Sequence, residues 1–237
     1  MTTQAIPAQL LHAARARYRP VGRFSYHFAG GKLATDPAYR AILALGLLKD
    51  RRQLLDLGCG LGLLAALLRA AERCSQDGGW PRDWPAPPRG LAIRGIELLP
   101  RTAVRAQRAL GQGAEILQGD IRDCELGDAD AVVLLDVLHY IDHGAQQALL
   151  ERVRATLPPG GVLLLRVGDA AGGLRFRIGH WCDGAVILAR GLGLMRQHCR
   201  SLSEWRALLA ACGFDCQALS ISDRTPFSNT LMLARPL

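Results

Sequence analysis

Four short stretches of this chain carry residue types suited to a nucleotide-like ligand, and they come in a fixed order. The first is Asp56-Leu57-Gly58-Cys59-Gly60-Leu61-Gly62, an acid followed by three glycines at every second position. A turn this tight needs backbone angles and close approaches that a Cβ would block. It also leaves the first N–H groups of the following helix open toward a ligand. Asp56, at the end of an apolar run, suits a loop that must be held in shape or must bind ammonium and hydroxyl groups. The second stretch ends at Glu97, whose carboxylate can accept both hydroxyls of a ribose. The third is Gly119-Asp120-Ile121, an acid beside an apolar residue. The fourth, Asp136-Val137-Leu138-His139-Tyr140, combines an acid with an imidazole and a phenol.

These residues fall where a β/α alternation would place them. Leu54 and Leu55 lead into the glycine loop as a strand, and Leu63 to Ala71 contains helix formers without a β-branched residue. The Pro/Trp segment from 74 to 90 can be neither helix nor central strand, so it is an inserted loop. The insertion accounts for the long interval between the glycine loop and Glu97, where about 20 residues are usual. The strand 91–96 then ends at Glu97, and a helix begins near Pro100 and runs to Leu110. Residues 114–118 are the third strand and 130–135 the fourth, apolar throughout after Asp130, as expected of a strand covered on both faces. A helix over 144–157, the turn Pro158-Pro159-Gly160-Gly161 and the strand 162–167 follow. Ser201-Leu202-Ser203-Glu204 is a capping box opening a helix that stops at Gly213, and 216–221 with 229–234 form a closing hairpin. Carboxyl ends of strands in an open parallel sheet face the ligand crevice, so Asp136, His139 and Tyr140 are well placed. The expected architecture is α/β, a doubly wound, Rossmann-like, seven-stranded and mostly parallel sheet.

Two further regions could cover such a crevice. Residues 1–49 are expected to form a helical N-terminal cap, with an amphipathic helix at Leu10, Leu11 and Ala14. After it comes the aromatic segment containing Tyr26, His27 and Phe28, ending at Gly30-Gly31-Lys32. On a flexible connector these side chains would serve as a pocket lid; alternatively Phe24 and Phe28 pack while Tyr26 and His27 face water. Asp36-Pro37 then starts a helix to Leu48. The second region, the long insertion 169–200, offers Arg175, His180 and Trp181 for an anionic or aromatic substrate, or is a solvated loop with one packed Trp. The remainder, 50–237, reads as one ligand-binding domain.

Composition narrows the class. The chain has 237 residues, 49% of them hydrophobic and 21% charged, enough for one large α/β domain with or without a small cap. No apolar run reaches the roughly 20 residues of a membrane span, and Met1 to Pro20 has no signal-peptide core, so a cytoplasmic protein is expected. The seven cysteines include no C-x-x-C pair, which favours free thiols and no metal. The net charge of +8 is almost all arginine, Lys32 and Lys49 being the only lysines. Either the charge is scattered and solvated, or it steers an acidic partner: an acyl carrier protein, a phosphorylated substrate, an anionic membrane surface or nucleic acid.

The D-x-G-x-G-x-G loop resembles the first motif of class I S-adenosylmethionine (SAM) methyltransferases. The dinucleotide fingerprint fails when counted from Gly58, yet counted from Gly60 its looser variant is met at Ala65, so the loop alone admits both readings. The succession of Glu97, Asp120-Ile121 and Asp136 favours the methyltransferase. The resemblance implies cofactor contacts from Asp56, Gly58, Cys59, Gly60, Gly62, Glu97, Leu98, Asp120, Ile121, Asp136, Val137 and Lys32. Within it, Glu97 takes the ribose, Asp120 accepts from the adenine amino group and Ile121 covers the ring. SAM would be the cofactor and S-adenosylhomocysteine (SAH) its product, with no metal. The Asp/Asn-Pro-Pro-aromatic motif of base N-methyltransferases and the Pro-Cys pair of cytosine-C5 enzymes are both absent at residues 136–142, which argues for a small-molecule or carrier-bound substrate.

A narrower likeness rests on residues 18–29, 31–33, 136–141 (Asp-Val-Leu-His-Tyr-Ile) and 166–170 (Arg-Val-Gly-Asp-Ala). These resemble methyltransferases of bacterial aryl-polyene pigment clusters, implying methylation of a hydroxyphenyl head group at oxygen or ring carbon, free or tethered to an acyl carrier protein. If the nucleophile must lose a proton, His139 is the expected base or hydrogen-bond partner, with Tyr140 and His27 next; the alternative is a strand-end histidine satisfied by backbone. Tyr26, Phe28, Arg175, His180 and Trp181 would contact substrate. Two other classes remain open: a SAM-fold protein without catalysis serving a biosynthetic complex, and an RNA methyltransferase suggested by the charge.

Overall fold

Seven strands make one sheet: β1 (Gln53–Leu57), β2 (Ala92–Glu97), β3 (Glu115–Gln118), β4 (Ala131–Leu135), β5 (Val162–Gly168), β6 (Phe214–Ser220) and β7 (Asn229–Pro236). In this computed structural model, which describes residues 5–171, 197–220 and 229–237, their order is β3-β2-β1-β4-β5-β7-β6. β1 and β3 both run parallel to β2, and β7 is antiparallel to β5 and β6. This is the mostly parallel, doubly wound sheet expected. Arg175, His180 and Trp181, and the turn 223–227, lie outside the described residues. The chain divides into two compact units, Met1–Glu125 with Ala129–Ala131, and Leu126–Asp128 with Val132–Leu237.

The first unit holds β1 to β3 with helices α1 (Ala8–Ala16), α2 (Arg23–Thr35), α3 (Pro37–Ala44), α4 (Leu63–Gln76) and α5 (Pro100–Leu110). α1 buries Leu10 and Ala14 and packs on α2 and α4. The aromatic segment expected as a flexible connector is instead the regular helix α2. Its buried residues, Ser25, Ala29 and Leu33, recur at a helical spacing that draws the segment onto the domain. The Gly30-Gly31 pair does not break it, because a Cβ at Gly30 would press to 3.2 Å from Arg15 Cδ on α1. α3 begins as expected, Asp36 accepting from the Ala38 N–H. It stops at Ala44 rather than Leu48, since the chain turns at Gly46 (φ +60) against Pro85. α4 continues through Cys74 to Gln76, three residues into the expected insertion, because no breaker precedes Gly78. In the loop that follows, Trp80 and Trp84 meet edge to face at 5.6 Å and the Trp80 indole donates to the Pro85 carbonyl.

The second unit holds most of β4, α6 (His143–Thr156), β5, α7 (Leu202–Ala211) and the hairpin β6–β7. Val162 to Leu165 are fully buried, as the unbroken apolar run requires. Asp142 caps α6 by accepting from Ala145 N–H, and the Ser201/Glu204 capping box of α7 is fully formed. Gln146, completely buried on α6, ties the unit together. Its amide donates to the carbonyls of Leu138, Ile141 and His198, and its oxygen accepts from Arg200 Nε. A buried amide must satisfy donors and acceptor alike, so it fixes the turn Leu138–Tyr140 against the chain at His198.

Candidate cofactor and substrate sites

The glycine loop of the first unit is built around two carboxylates. The N–H groups of Gly58 and Cys59 donate to the Ile96 carbonyl at 2.8 and 3.0 Å, drawing the loop against the end of β2. There Glu97 accepts from Gly60 N–H through Oε2 and from Leu99 N–H through Oε1, both at 3.0 Å. Glu97 is therefore buried and aimed along the loop, where sequence reasoning expects the ribose-binding acid. Asp56, buried at the end of β1, is pushed up to about 7, first by burial and then by the Glu97 carboxylate. The same burial, with the two acids beside it, raises the Cys59 thiol, so this cysteine stays neutral.

The shape of the loop suits a ligand that lies on backbone. Gly58, Gly60 and Gly62 all have φ between +57 and +73, the left-handed region that side chains disfavour. A Cβ at Gly60 would point into open space, whereas one at Gly62 would strike Leu110 Cδ1 at 2.6 Å. Gly62 is the N-cap of α4 and supplies no side-chain cap, so the first N–H groups of α4 are left for a ligand or water. From behind, the buried Tyr18 phenol donates to the Leu61 carbonyl at 2.9 Å. Sequence reasoning missed this support: a lone Tyr ahead of Pro20 carries no signal that it will reach a loop 43 residues away.

Ile121 is buried and Leu98 exposed, both following the acids they were expected to accompany. Asp120 is engaged by its own neighbour: Arg122 grips both carboxylate oxygens with its guanidinium and donates its backbone N–H as well. That hydrogen bonding holds the Asp120 carboxyl below the usual range, keeping it an ionised acceptor. Receiving an adenine amino proton would then use a remaining lone pair or displace Arg122. Lys32, expected at the cofactor, forms an ion pair with Asp36 at 2.8 Å one turn along. On α2, His27 is exposed and edge-on to Tyr26, while Tyr26 lies under the guanidinium groups of Arg15 and Arg19 at 5.1 and 5.7 Å. Phe28 stacks on the exposed Phe24 at 6.0 Å.

In the second unit Asp136 follows β4 with φ +59, a left-handed conformation costly for any residue but glycine and least so for Asp or Asn. Its carboxylate receives Nε and Nη2 of Arg166 in a two-point pair, and Arg166 is buried in β5. Asp136 thus first serves as counter-ion to a buried arginine. An Arg inside the run Val162–Val167 was the available signal, since a buried cation requires a partner. Val137 precedes the short 3₁₀ turn Leu138–Tyr140. His139 and Tyr140 are half-buried on it, their rings 4.0 Å apart and tilted, and the His139 carbonyl accepts from His198 N–H. Among the described residues no group of His, Cys, Asp and Glu is arranged to hold a metal ion, and no helix is long and apolar enough to cross a membrane.

A seven-stranded sheet of this order, with a glycine loop after β1 and an acid at the end of β2, defines the class I SAM-dependent methyltransferase fold. The methyltransferase-domain family matches residues 29–219, and the chain belongs to it. S-adenosylmethionine is the cofactor of this family, and the open cradle at Gly60, the uncapped start of α4 and the inward Glu97 fit it. Among curated proteins, a carboxy-S-adenosyl-L-methionine synthase from Chromohalobacter salexigens is 34% identical over 140 residues, 54% of this chain and 47% of that protein. The Klebsiella pneumoniae protein of that name is 31% identical over 54% of this chain and 51% of its own. The chain spans about half the length of these relatives. Among solved structures, human N-acetylserotonin methyltransferase in complex with SAM superposes with a TM-score of 0.62 at 21% identity, covering 98% of this chain and 60% of that one. Magnesium protoporphyrin IX methyltransferase from Synechocystis, with bound SAH, gives 0.59 at 18% identity over 94% of both chains. These likenesses carry the fold.

Proposed function

We propose that this protein transfers a methyl group from SAM to a small aromatic acceptor bearing a hydroxyl group, free or carried on an acidic acyl carrier protein, in aryl-polyene-type secondary metabolism. The observation that carries the reading is the Glu97 carboxylate, fastened to Gly60 and Leu99 N–H beside the uncapped start of α4. That arrangement keeps an acceptor for two hydroxyls next to free backbone donors, which is what an adenosyl amino acid presents. Bound there, SAM supplies a methyl group on an already activated sulfonium. The protein's part is to hold the acceptor in line and exclude water, an effect worth several kcal/mol. Asp56 and Glu97 supply negative charge for the ammonium and ribose, and Asp120 with Ile121 is suited to the adenine edge and face. His139 takes the hydroxyl proton or orients the hydroxyl, with Tyr140 and His27 as the other proton acceptors. Tyr26, Phe28, Arg175, His180 and Trp181 are the proposed substrate contacts, and the surplus of positive charge supports an acidic carrier.

The test is transfer of tritiated methyl from SAM to free and carrier-bound hydroxyphenyl acceptors, with His139→Ala alongside. Expected are labelled acceptor and SAH in equal amounts, and a loss of 10²-fold or more in the variant. SAM binding without label in any acceptor would leave the non-catalytic reading; label in RNA would leave the nucleic-acid one. The curated relatives favour one further reading, carboxylation of SAM itself, in which a second, carboxylic-acid substrate supplies the carboxyl group and a C–H bond of SAM gives up its proton. It predicts a heavier cofactor in the mass spectrum and no SAH.

A further inference from the structure

Beside Leu110, whose side chain backs Gly62, the first unit has a cleft of about 470 Å³ lined also by Arg17, Arg69, Glu72, Arg73, Gln76, Gln112 and Gly113, none of them in the glycine loop. On α4 the residues 69, 72, 73 and 76 recur at three- and four-residue spacing, so they share one face. They sit about 10–20 Å along the helix from its start at the glycine loop, at 1.5 Å per residue. Three guanidinium groups and one carboxylate leave this lining with a charge of +2. The carboxylate is spoken for, since Glu72 accepts from Arg69 through one oxygen and from Gly90 N–H through the other. Arg69 is fixed in the wall by its bonds to the carbonyls of Gly113 and Leu91, and Arg17 donates to the Leu110 carbonyl. Burial, and after it the nearby Arg73 and Arg69 charges, make the Arg17 proton easier to lose than usual; Glu72 offsets the Arg69 charge, and the surplus rests on Arg17 and Arg73.

We propose that this cleft is a binding site for a small phosphorylated ligand, a diphosphate or phosphate monoester, separate from the cofactor loop. Guanidinium groups match phosphate oxygens in two-point hydrogen bonds, and two side-chain amides, Gln76 and Gln112, line the same space. The volume falls in the range of small-ligand pockets. The carbonyls that hold Arg69 and Arg17 make the site partly prearranged, so the ligand need order only Arg73 and the two amides. A neutral or cationic ligand would gain nothing from the surplus charge.

The experiment is calorimetric titration of the full chain with pyrophosphate at low salt, using wild type, Arg73→Gln and Arg17→Gln/Arg73→Gln. Arg73 is exposed, so its substitution leaves the packing alone, and far-UV circular dichroism with thermal unfolding checks each fold. Expected are saturable one-to-one binding in the wild type, a loss of about ten-fold or more in Arg73→Gln, and loss of measurable binding in the double variant. Heat that does not saturate up to millimolar pyrophosphate overturns the proposal, as does equal affinity in wild type and Arg73→Gln. Single-stranded RNA bound more tightly than pyrophosphate, with both lost in the double variant, would reassign the cleft to nucleic acid and overturn the small-ligand assignment.

Discussion

Asp56 gives the sharpest test of the cofactor loop. Its folded pKa is raised from 3.8 to about 7, chiefly by burial and further by Glu97. At 1.36 kcal/mol per unit, that rise is worth about 4 kcal/mol. A raised carboxyl pKa means that the folded protein binds a proton the unfolded chain has released. The stabilisation is therefore complete below about pH 4 and is lost as pH rises through about 7. About 3 kcal/mol of it should disappear between pH 5 and pH 8. The perturbation is Asp56→Asn, which keeps the shape and removes the titration, and the assay is urea unfolding of both proteins across that range. Taking the difference between them cancels the titrating groups that do not interact with Asp56 and leaves Asp56 with its neighbours Glu97 and Cys59. Relative to the variant, wild type should lose about 3 kcal/mol on going to pH 8. Because a bound ammonium favours the ionised form, SAM binding near pH 6 should also release a proton, read from calorimetry in buffers of different ionisation enthalpy. Parallel stability profiles for wild type and Asp56→Asn would refute the reasoning, showing that the carboxyl is already ionised in the fold.

Glu97→Gln keeps the size but offers one acceptor oxygen for two N–H groups, so Gly60 or Leu99 loses its partner; SAM affinity by calorimetry should fall ten-fold or more, with about 1–2 kcal/mol lost in stability. Tyr18→Phe deprives the Leu61 carbonyl of its donor and should lower the unfolding free energy by about 1–2 kcal/mol in urea, while SAM binding weakens because the loop loses its rear support. Asp136→Ala removes the carboxylate paired with the buried Arg166 and should cost about 3 kcal/mol by thermal or urea unfolding. The double variant Asp136→Ala/Arg166→Met should recover much of that, since an apolar side chain needs no counter-ion.

The order of elements was legible because it depends on local patterning. Apolar runs of strand length alternate with helix formers, Gly58, Gly60 and Gly62 mark a turn no other residues make easily, and Asp36, Ser201 and Gly213 mark helix ends through short-range geometry. In the segment 23–35 the glycine pair and clustered rings are poor helix signals and favour a connector. Only the packing of Ser25, Ala29 and Leu33 against the unit, with Gly30 against Arg15 of α1, makes it a helix. That is a tertiary override of a weak local preference.

For the candidate site, the sequence by itself determined which acids would stand at which strand ends, because strand order and length follow from hydrophobic pattern. What each acid touches was decided by the tertiary structure. Glu97, expected at the end of β2 as an acceptor for ribose hydroxyls, accepts from the Gly60 and Leu99 N–H groups. Asp120, by contrast, is held by Arg122, Lys32 turns to Asp36, and Asp136 is engaged by Arg166. The physical reason is that a carboxylate takes whichever donor the fold brings within about 3 Å. For residues distant in sequence that neighbour is fixed by packing, which the order of residue types does not contain.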